Sequence, residues 1–248
     1  MARSRSHLRV TGTIEDMIYY RNRLAGGIVG RRKDVGLSER VSEAPNYFYF
    51  RQHGSMFGFA SHACKVLRDC LAPAVRDITD NSMNTRLIAP AKRIVSKAAS
   101  RGMNEHPFQT EDADIFRGFS FNGKARLLNV LTSSLESGRE GGKFFVKMKK
   151  ATINRVKGST HFQVVSSVGG IDFIRERCAR NDEASEMLEA SEWSTDITLE
   201  TELPGSYPVY YHVVTVRQFQ LVNGTYSPLY NLRGNAADIV QVVLNQEE

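Results

Sequence analysis

The apolar residues of this chain change period part-way along it, and that change constrains the fold more than any other feature. Phe50, Phe57, Ala60, Cys64, Leu67, Leu71 and Val75 recur at spacings of three, four and seven, the period of one buried helix face. Leu87, Ile88, Ala91, Ile94, Val95 and Ala98 repeat the pattern and predict a second helix over about 83–100. Beyond Gly102 the order becomes short-ranged. "EGGKFFVKMKKATINRV", "STHFQVVSSV", "DITLETELP", "VYYHVVTVRQFQLV" and "NAADIVQVVLN" are β-branched or aromatic runs bounded by Gly, Pro, Asn and Ser, which predicts strands. Asn223-Gly224, between "RQFQLV" and "TYSPLY", predicts a type I′ hairpin turn. The acidic stretch 181–193 is expected to form a short helix or a long loop in one connection.

Ahead of both patterns stands "TGTIEDMIYYRNRLAGGIVGRRKD", residues 11–34. A β-prone run over Ile14–Tyr20, the breaker Ala25-Gly26-Gly27 and a second run at Ile28-Val29 predict a β-hairpin. A lone hairpin is marginal in water, so it needs a third strand or a surface to lie on. Residues 34–46 read as a connection, with Asn46 as the N-cap of the helix that follows. Pro73 is expected to kink or end that helix. Gly54 and Gly58 cost helix stability, and close approach of another backbone is the expected compensation. The expected architecture is α+β: a basic N-terminal arm with a β-hairpin (1–45), a helical region (46–122) and an antiparallel β-sandwich, Ig-like or jelly-roll-like (123–248).

Charge divides the chain. Residues 1–101 hold 18 Lys+Arg against 8 Asp+Glu, a net of +10; the overall net of +6 leaves −4 for residues 102–248. Arg3, Arg5, Arg9, Arg21, Arg23, Arg31, Arg32 and Lys33 fall beside Tyr19 and Tyr20 near the front. Arginine pairs with phosphate and tyrosine stacks on unpaired bases, so these are candidate nucleic-acid or subunit contacts. The same cations would also keep an exposed sheet edge from pairing wrongly. Arg86, Lys92, Arg93 and Lys97 on the second helix read either as a phosphate-facing surface or as a solvated face. Within 181–202 there are eight acids and no Lys or Arg. They form a solvated face, or else Glu183, Glu186, Glu189 and Glu192 meet the basic front of another subunit.

Motifs for chemistry are few. His62 and Cys64, two apart on a helix, point in different directions, and no second pair has metal spacing, so no metal site is expected. "SGREGGKF" has Ser137 and Phe144 where a phosphate-cradling loop needs glycine and a hydroxyl. "AGGIVG" lacks the dinucleotide spacing. Asn223-Gly224-Thr225 matches a glycosylation sequon, but the turn reading is preferred. No apolar run approaches the length of a membrane span, and "MARSRSHLRV" is not followed by an apolar segment. Cytoplasmic synthesis is therefore expected, with the mature chain there or within a virion or other assembled particle. Cys64, Cys70 and Cys178 are too few for a disulfide framework, which fits a reducing compartment.

"VTGTIEDMIYYRNRLAGGIVGRRK", "GSMFGFASHACKVLRDCLAP", "FRGFSFN" and "FQLVNGTYSPLYN" resemble, in order and over most of the chain, the successive blocks of an uncharacterised conserved protein family of Bacteroidota. That family has a glycine-aspartate pair where this chain has Glu15-Asp16, and a lysine- and glycine-containing turn where this chain has "NRLAGG". The resemblance implies no activity, cofactor or catalytic residue.

The expected function is non-enzymatic: a structural protein that self-assembles through its N-terminal arm, as a virion, prophage-like or shell component. The alternative is a soluble, sequence-nonspecific DNA- or RNA-binding protein using the basic front. The expected partner is the chain itself, with nucleic acid second and no membrane; no cofactor is expected.

Overall fold

A computed structural model describes residues 2–4, 11–22, 27–34, 36–100, 108–190 and 195–245, with the side chains of 2–4, 99 and 100 left aside. The chain divides into two compact units, Met1–Gly54 and Ser55–Glu248.

The first unit is a four-stranded antiparallel sheet followed by short helical turns. Strands β1 (Ala2–Ser4), β2 (Gly12–Ile14), β3 (Met17–Asn22) and β4 (Gly27–Arg32) lie in the order β1-β4-β3-β2. The expected hairpin is β3–β4, in register from Met17 opposite Arg32 to Asn22 opposite Gly27. Its turn residues 23–26 lie outside the described residues. A strand on each edge supplies the support that a lone hairpin lacks. The β2–β3 connection is the two-residue turn Glu15-Asp16, where Glu15 adopts a left-handed φ of 51°. Gly30 is closely packed: a Cβ there would lie 3.0 Å from the Tyr19 ring, which would have to shift to admit it. Helix α1 (Leu37–Glu43) and a 3-10 turn, Pro45–Tyr47, lead into helix α2 (Phe48–Val75). Asn46 sits inside the 3-10 turn rather than at a helix cap, because Pro45, with its fixed φ and no N–H, already starts a helical turn.

In the second unit, α2 and α3 (Met83–Ser100) build one layer of the core. Ala60, Ala63, Cys64, Leu67, Cys70, Leu71 and Ala74 of α2 are buried, as are Leu87, Ala91 and Val95 of α3. Pro73 does not end α2, which runs on to Val75. Its final carbonyls are met from the sheet, with Arg217 Nη2 donating to the Ala74 carbonyl at 2.8 Å; a cation suits this negative end of the helix dipole. A 3-10 segment, Thr110–Phe116, and the single-turn α4 (Leu127–Val130) precede the strands.

The strands are β5 (Leu131–Glu140), β6 (Lys143–Ile153), β7 (His161–Asp172), β8 (Arg177–Ala184), β9 (Leu188–Glu189), β10 (Thr195–Glu202), β11 (Val209–Val222), β12 (Thr225–Pro228) and β13 (Ala236–Leu244). They form curled antiparallel sheets. One has the order β10-β6-β5; the other runs β12-β11-β7-β8, with β13 also pairing β11 and β9 pairing β7. Strand β11 is covered on both faces, which explains its nearly unbroken apolar run. Val209, Tyr211 and Val213 join the core built by the helices, while Val214 and Val216 join the core shared with β5, β6 and β10. The period of two thus divides one strand between two cores. The pair Gly169-Gly170 in β7 lets both layers close. A Cβ on Gly169 would stand 2.9 Å from Cys70 Sγ of α2, and one on Gly170 would stand 2.5 Å from the Tyr207 ring.

Helices 48–75 and 83–100, the five strand segments and the turn at Asn223-Gly224 stand where the sequence places them; both turn residues have positive φ, 50° and 77°. Besides the Asn46 cap, two further local expectations fail. The acidic stretch is neither helix nor long loop over its described part: β8 pairs along β7 from Asp172 opposite Arg177 to Val165 opposite Ala184, and backbone pairing outweighs the poor strand propensity of its acids. Gly54 and Gly58 are not approached by another backbone, since nothing described lies within 4 Å of a Cβ on either. Among the described residues no helix is long and apolar enough to cross a membrane.

Candidate functional site

The cationic residues of the first unit lie on both faces of its sheet. Cross-strand partners share a face, so the register groups Arg21 and Arg32 with Met17 and Tyr19, and Arg31 with Ile18 and Tyr20. Arg21, Arg31, Arg32 and Lys33 are exposed, while Tyr19 and Tyr20 are half-buried. Arg32 Nε donates to Asp16 Oδ2 at 2.9 Å across the β2–β3 turn. The Arg31 guanidinium lies 6.0 Å from the centre of the Tyr20 ring, at the outer limit of a cation–π contact. Arg3 lies in β1, its side chain undescribed, and Arg5, Arg9 and Arg23 lie outside the described residues. On α3, Lys92 and Arg93 are exposed, but Arg86 is turned inward: it pairs with Asp80 at 2.7 Å and donates to the Ser120 carbonyl at 2.7 Å.

The acids come together only in part. Glu183 and Asp182 of β8 and Glu200 and Glu202 of β10 line one open cleft of about 730 Å³, which Lys143 also borders. Lys143 Nζ lies 3.6 Å from Glu200 Oε2. Asp182 is paired with Arg180 Nε at 2.7 Å. Glu186 and Glu189 are exposed but do not line this cleft, and Glu192 lies outside the described residues. Sequence order places β8 and β10 some twenty residues apart; both are built into neighbouring sheet edges, so the joint acidity of Glu183 and Glu202 is a property of the fold.

A second cleft, of about 480 Å³, is lined by Phe59, Phe108 and Phe173, with His62 and Glu176 at its border. His62 Nε2 and Glu176 Oε1 are 2.6 Å apart, and both side chains are about half-exposed. Glu176 holds a left-handed φ of 54° in the turn between β7 and β8. His62 and Cys64 do point apart: Cys64 is buried, with Sγ 3.5 Å from the Leu87 carbonyl oxygen.

Two residues with the chemistry of a nucleophile and its base are also in contact. Ser166 Oγ lies 2.8 Å from His212 Nε2 and 2.6 Å from Thr201 Oγ1. A hydrolytic triad would place an acid on the other ring nitrogen and open the serine to substrate. Here Ser166 and His212 are wholly buried and Nδ1 of His212 has no hydrogen-bond partner among the described residues. Burial lowers the His212 pKa to about 4, so the ring is neutral at physiological pH and joins β7, β10 and β11 as a polar contact.

No protein-family model matches the chain, and no curated protein is similar enough to count as a relative.

Proposed function

We propose that this chain is a non-enzymatic structural protein that assembles with copies of itself through its N-terminal unit. The observation that carries the reading is the exposure of three consecutive aromatics, Phe48, Tyr49 and Phe50, at 56%, 71% and 65%. Successive residues point about 100° apart around a helix. Covering all three therefore requires a surface that wraps the first turn of α2, and large exposed apolar groups mark association sites. Ile14 and Leu37 of the same unit are exposed as well.

Charge favours a second copy as that surface. Arg21, Arg31, Arg32 and Lys33 are presented by the first unit, and the second unit carries the cleft lined by Asp182, Glu183, Glu200 and Glu202. Complementary patches of this kind steer and register association. Unlike surfaces on one chain make a heterologous contact, which generates rings, shells or filaments. A virion, prophage-like or shell component is the finer form of the proposal, with the facing sheets of the second unit as an Ig-like or jelly-roll-like sandwich.

The cations and Tyr20 favour one other reading, sequence-nonspecific binding of DNA or RNA, whose affinity would fall steeply with salt. One experiment separates the two. The purified full chain is sized by light scattering and negative-stain microscopy at low and high salt, and its 260/280 absorbance ratio is read. Ordered particles free of nucleic acid, lost in a Phe48→Ser/Tyr49→Ser/Phe50→Ser variant that remains folded by circular dichroism, are the expected result. A monomer at all salt concentrations overturns assembly; a monomer that binds single-stranded DNA with a steep salt dependence establishes the second reading instead.

A further inference from the structure

Two of the three cysteines meet where α2 crosses β7 and β8. The register sets Gly169 opposite Arg180, Gly170 opposite Ala179 and Ile171 opposite Cys178, and cross-strand partners share a face. Gly169 and Ile171 both turn toward α2: the first adjoins Cys70 Sγ, and the second belongs to the core that α2 builds. Arg180 and Cys178 must therefore turn the same way, and Arg180 Nη1 does donate to the Cys70 carbonyl at 3.1 Å. Cys70 Sγ lies 3.5 Å from the carbonyl oxygen of Ala179, the neighbour of Cys178, and the two thiols are near enough for each to bear on the other's ionisation. Cys70 is buried and Cys178 is exposed. One thiol meets solvent, and the other is buried against the backbone of the next residue along the same strand.

We propose that Cys70 and Cys178 form an oxidisable thiol couple, which a small-molecule disulfide in solution converts to an intramolecular disulfide tying α2 to β8. The exposed Cys178 sulfur, as thiolate, attacks one sulfur of the small disulfide; that S–S bond breaks, and one thiol leaves with the proton that Cys178 gave up. Cys70 then loses its proton and attacks the Cys178 sulfur, expelling the second small thiol. Two protein thiols lose two electrons and two protons, and the small disulfide gains them as two thiols. The order of attack follows from the surroundings. Burial pushes the Cys70 thiol far up in pKa, against a smaller opposing pull from Arg180, so Cys70 is slow to ionise and serves as the resolving sulfur rather than the first attacker. Cys64 is buried against the Leu87 carbonyl and takes no part.

The test uses the reduced full chain incubated with oxidised glutathione, followed by alkylation, non-reducing digestion and mass spectrometry. The expected product is a Cys70–Cys178 cross-linked peptide pair that disappears on reduction, with an unfolding midpoint that rises on oxidation. Cys64→Ser should keep both effects and Cys178→Ser should lose both; the latter changes an exposed side chain, so it remains folded. Glutathione retained on Cys178 with Cys70 still free, or a Cys178–Cys178 bond between chains, would overturn the proposal.

Discussion

Ser166 Oγ and His212 Nε2 lie 2.8 Å apart between the two sheets of the second unit, with neither residue reaching solvent. The contact has a consequence for stability. Burial holds His212 down at about 4, whereas an unfolded histidine titrates near 6.5. The unfolded chain therefore binds a proton over this window that the folded chain does not, so stability is full above pH 6.5 and falls as pH drops toward 4. The loss is on the order of 3 kcal/mol across that window. Equilibrium denaturation of the wild type and His212→Gln at several pH values should show a slope between pH 6.5 and 4.5 that the variant lacks; equal slopes would mean that His212 titrates normally.

Asp80 behaves in the same direction but lower on the pH scale. Burial alone would raise its carboxyl, but hydrogen bonds from Ser82 and the Gly123 amide, with the Arg86 guanidinium, outweigh burial and hold it well below the usual carboxylate range. Asp80→Asn should cost about 2–3 kcal/mol at pH 7, the value of charged hydrogen bonds in a partly buried site. Because its folded pKa is depressed, that contribution is present above the unfolded value of 3.8 and is lost as pH falls further. The gap between wild type and variant measured by urea unfolding should thus narrow below pH 4, and a gap constant down to pH 2 would contradict the assignment.

Glycines in this chain should respond to alanine with opposite signs. Gly58 sits in α2 with open space beyond its Cα, so Gly58→Ala should stabilise by about 0.5–1 kcal/mol through helix propensity. Gly169 faces Cys70 Sγ at 2.9 Å from where a Cβ would stand, with a Leu71 methyl at 3.1 Å. Gly169→Ala should therefore destabilise by about 1–3 kcal/mol from overpacking. Thermal melts of both variants read the contrast directly.

The assembly proposal predicts a charge dependence that the fold alone would not. Glu183→Lys combined with Glu202→Lys reverses two acids of the β8–β10 cleft while changing only exposed side chains. Particle formation, followed by light scattering, should drop by about tenfold or more if opposite patches register subunits. A further substitution of Arg31 and Arg32 by Glu should restore part of it. Unchanged particles in the double-lysine chain would place the contact elsewhere.

Much of the local structure was legible in the residues. Leu67, Leu71 and Val75 marked α2, Leu87, Ala91 and Val95 marked α3, and Asn223-Gly224 marked the β11–β12 turn, because each signal lies within a few residues of the element it specifies. Glu15-Asp16 was missed as a second hairpin turn, since glutamate does not favour the left-handed backbone that Glu15 adopts. "NDEA" gave no strand signal; β8 exists because β7 offers it a partner edge, and such partners are distant in the chain. The joining of Glu183 with Glu202, of Ser166 with His212 and of Cys70 with Cys178 was likewise unreadable.

The sequence by itself determined the class of the fold, the helices of the middle, the strands that follow and the separation of positive front from negative back, because period and composition are local quantities. Only the tertiary structure decided which residues meet. Its strand register put cations on both faces of the first sheet and split β11 between two cores. It also brought a buried thiol to the strand that carries an exposed one, since pairing partners and helix packing are chosen by backbone hydrogen bonds and close approach between segments that can be more than a hundred residues apart.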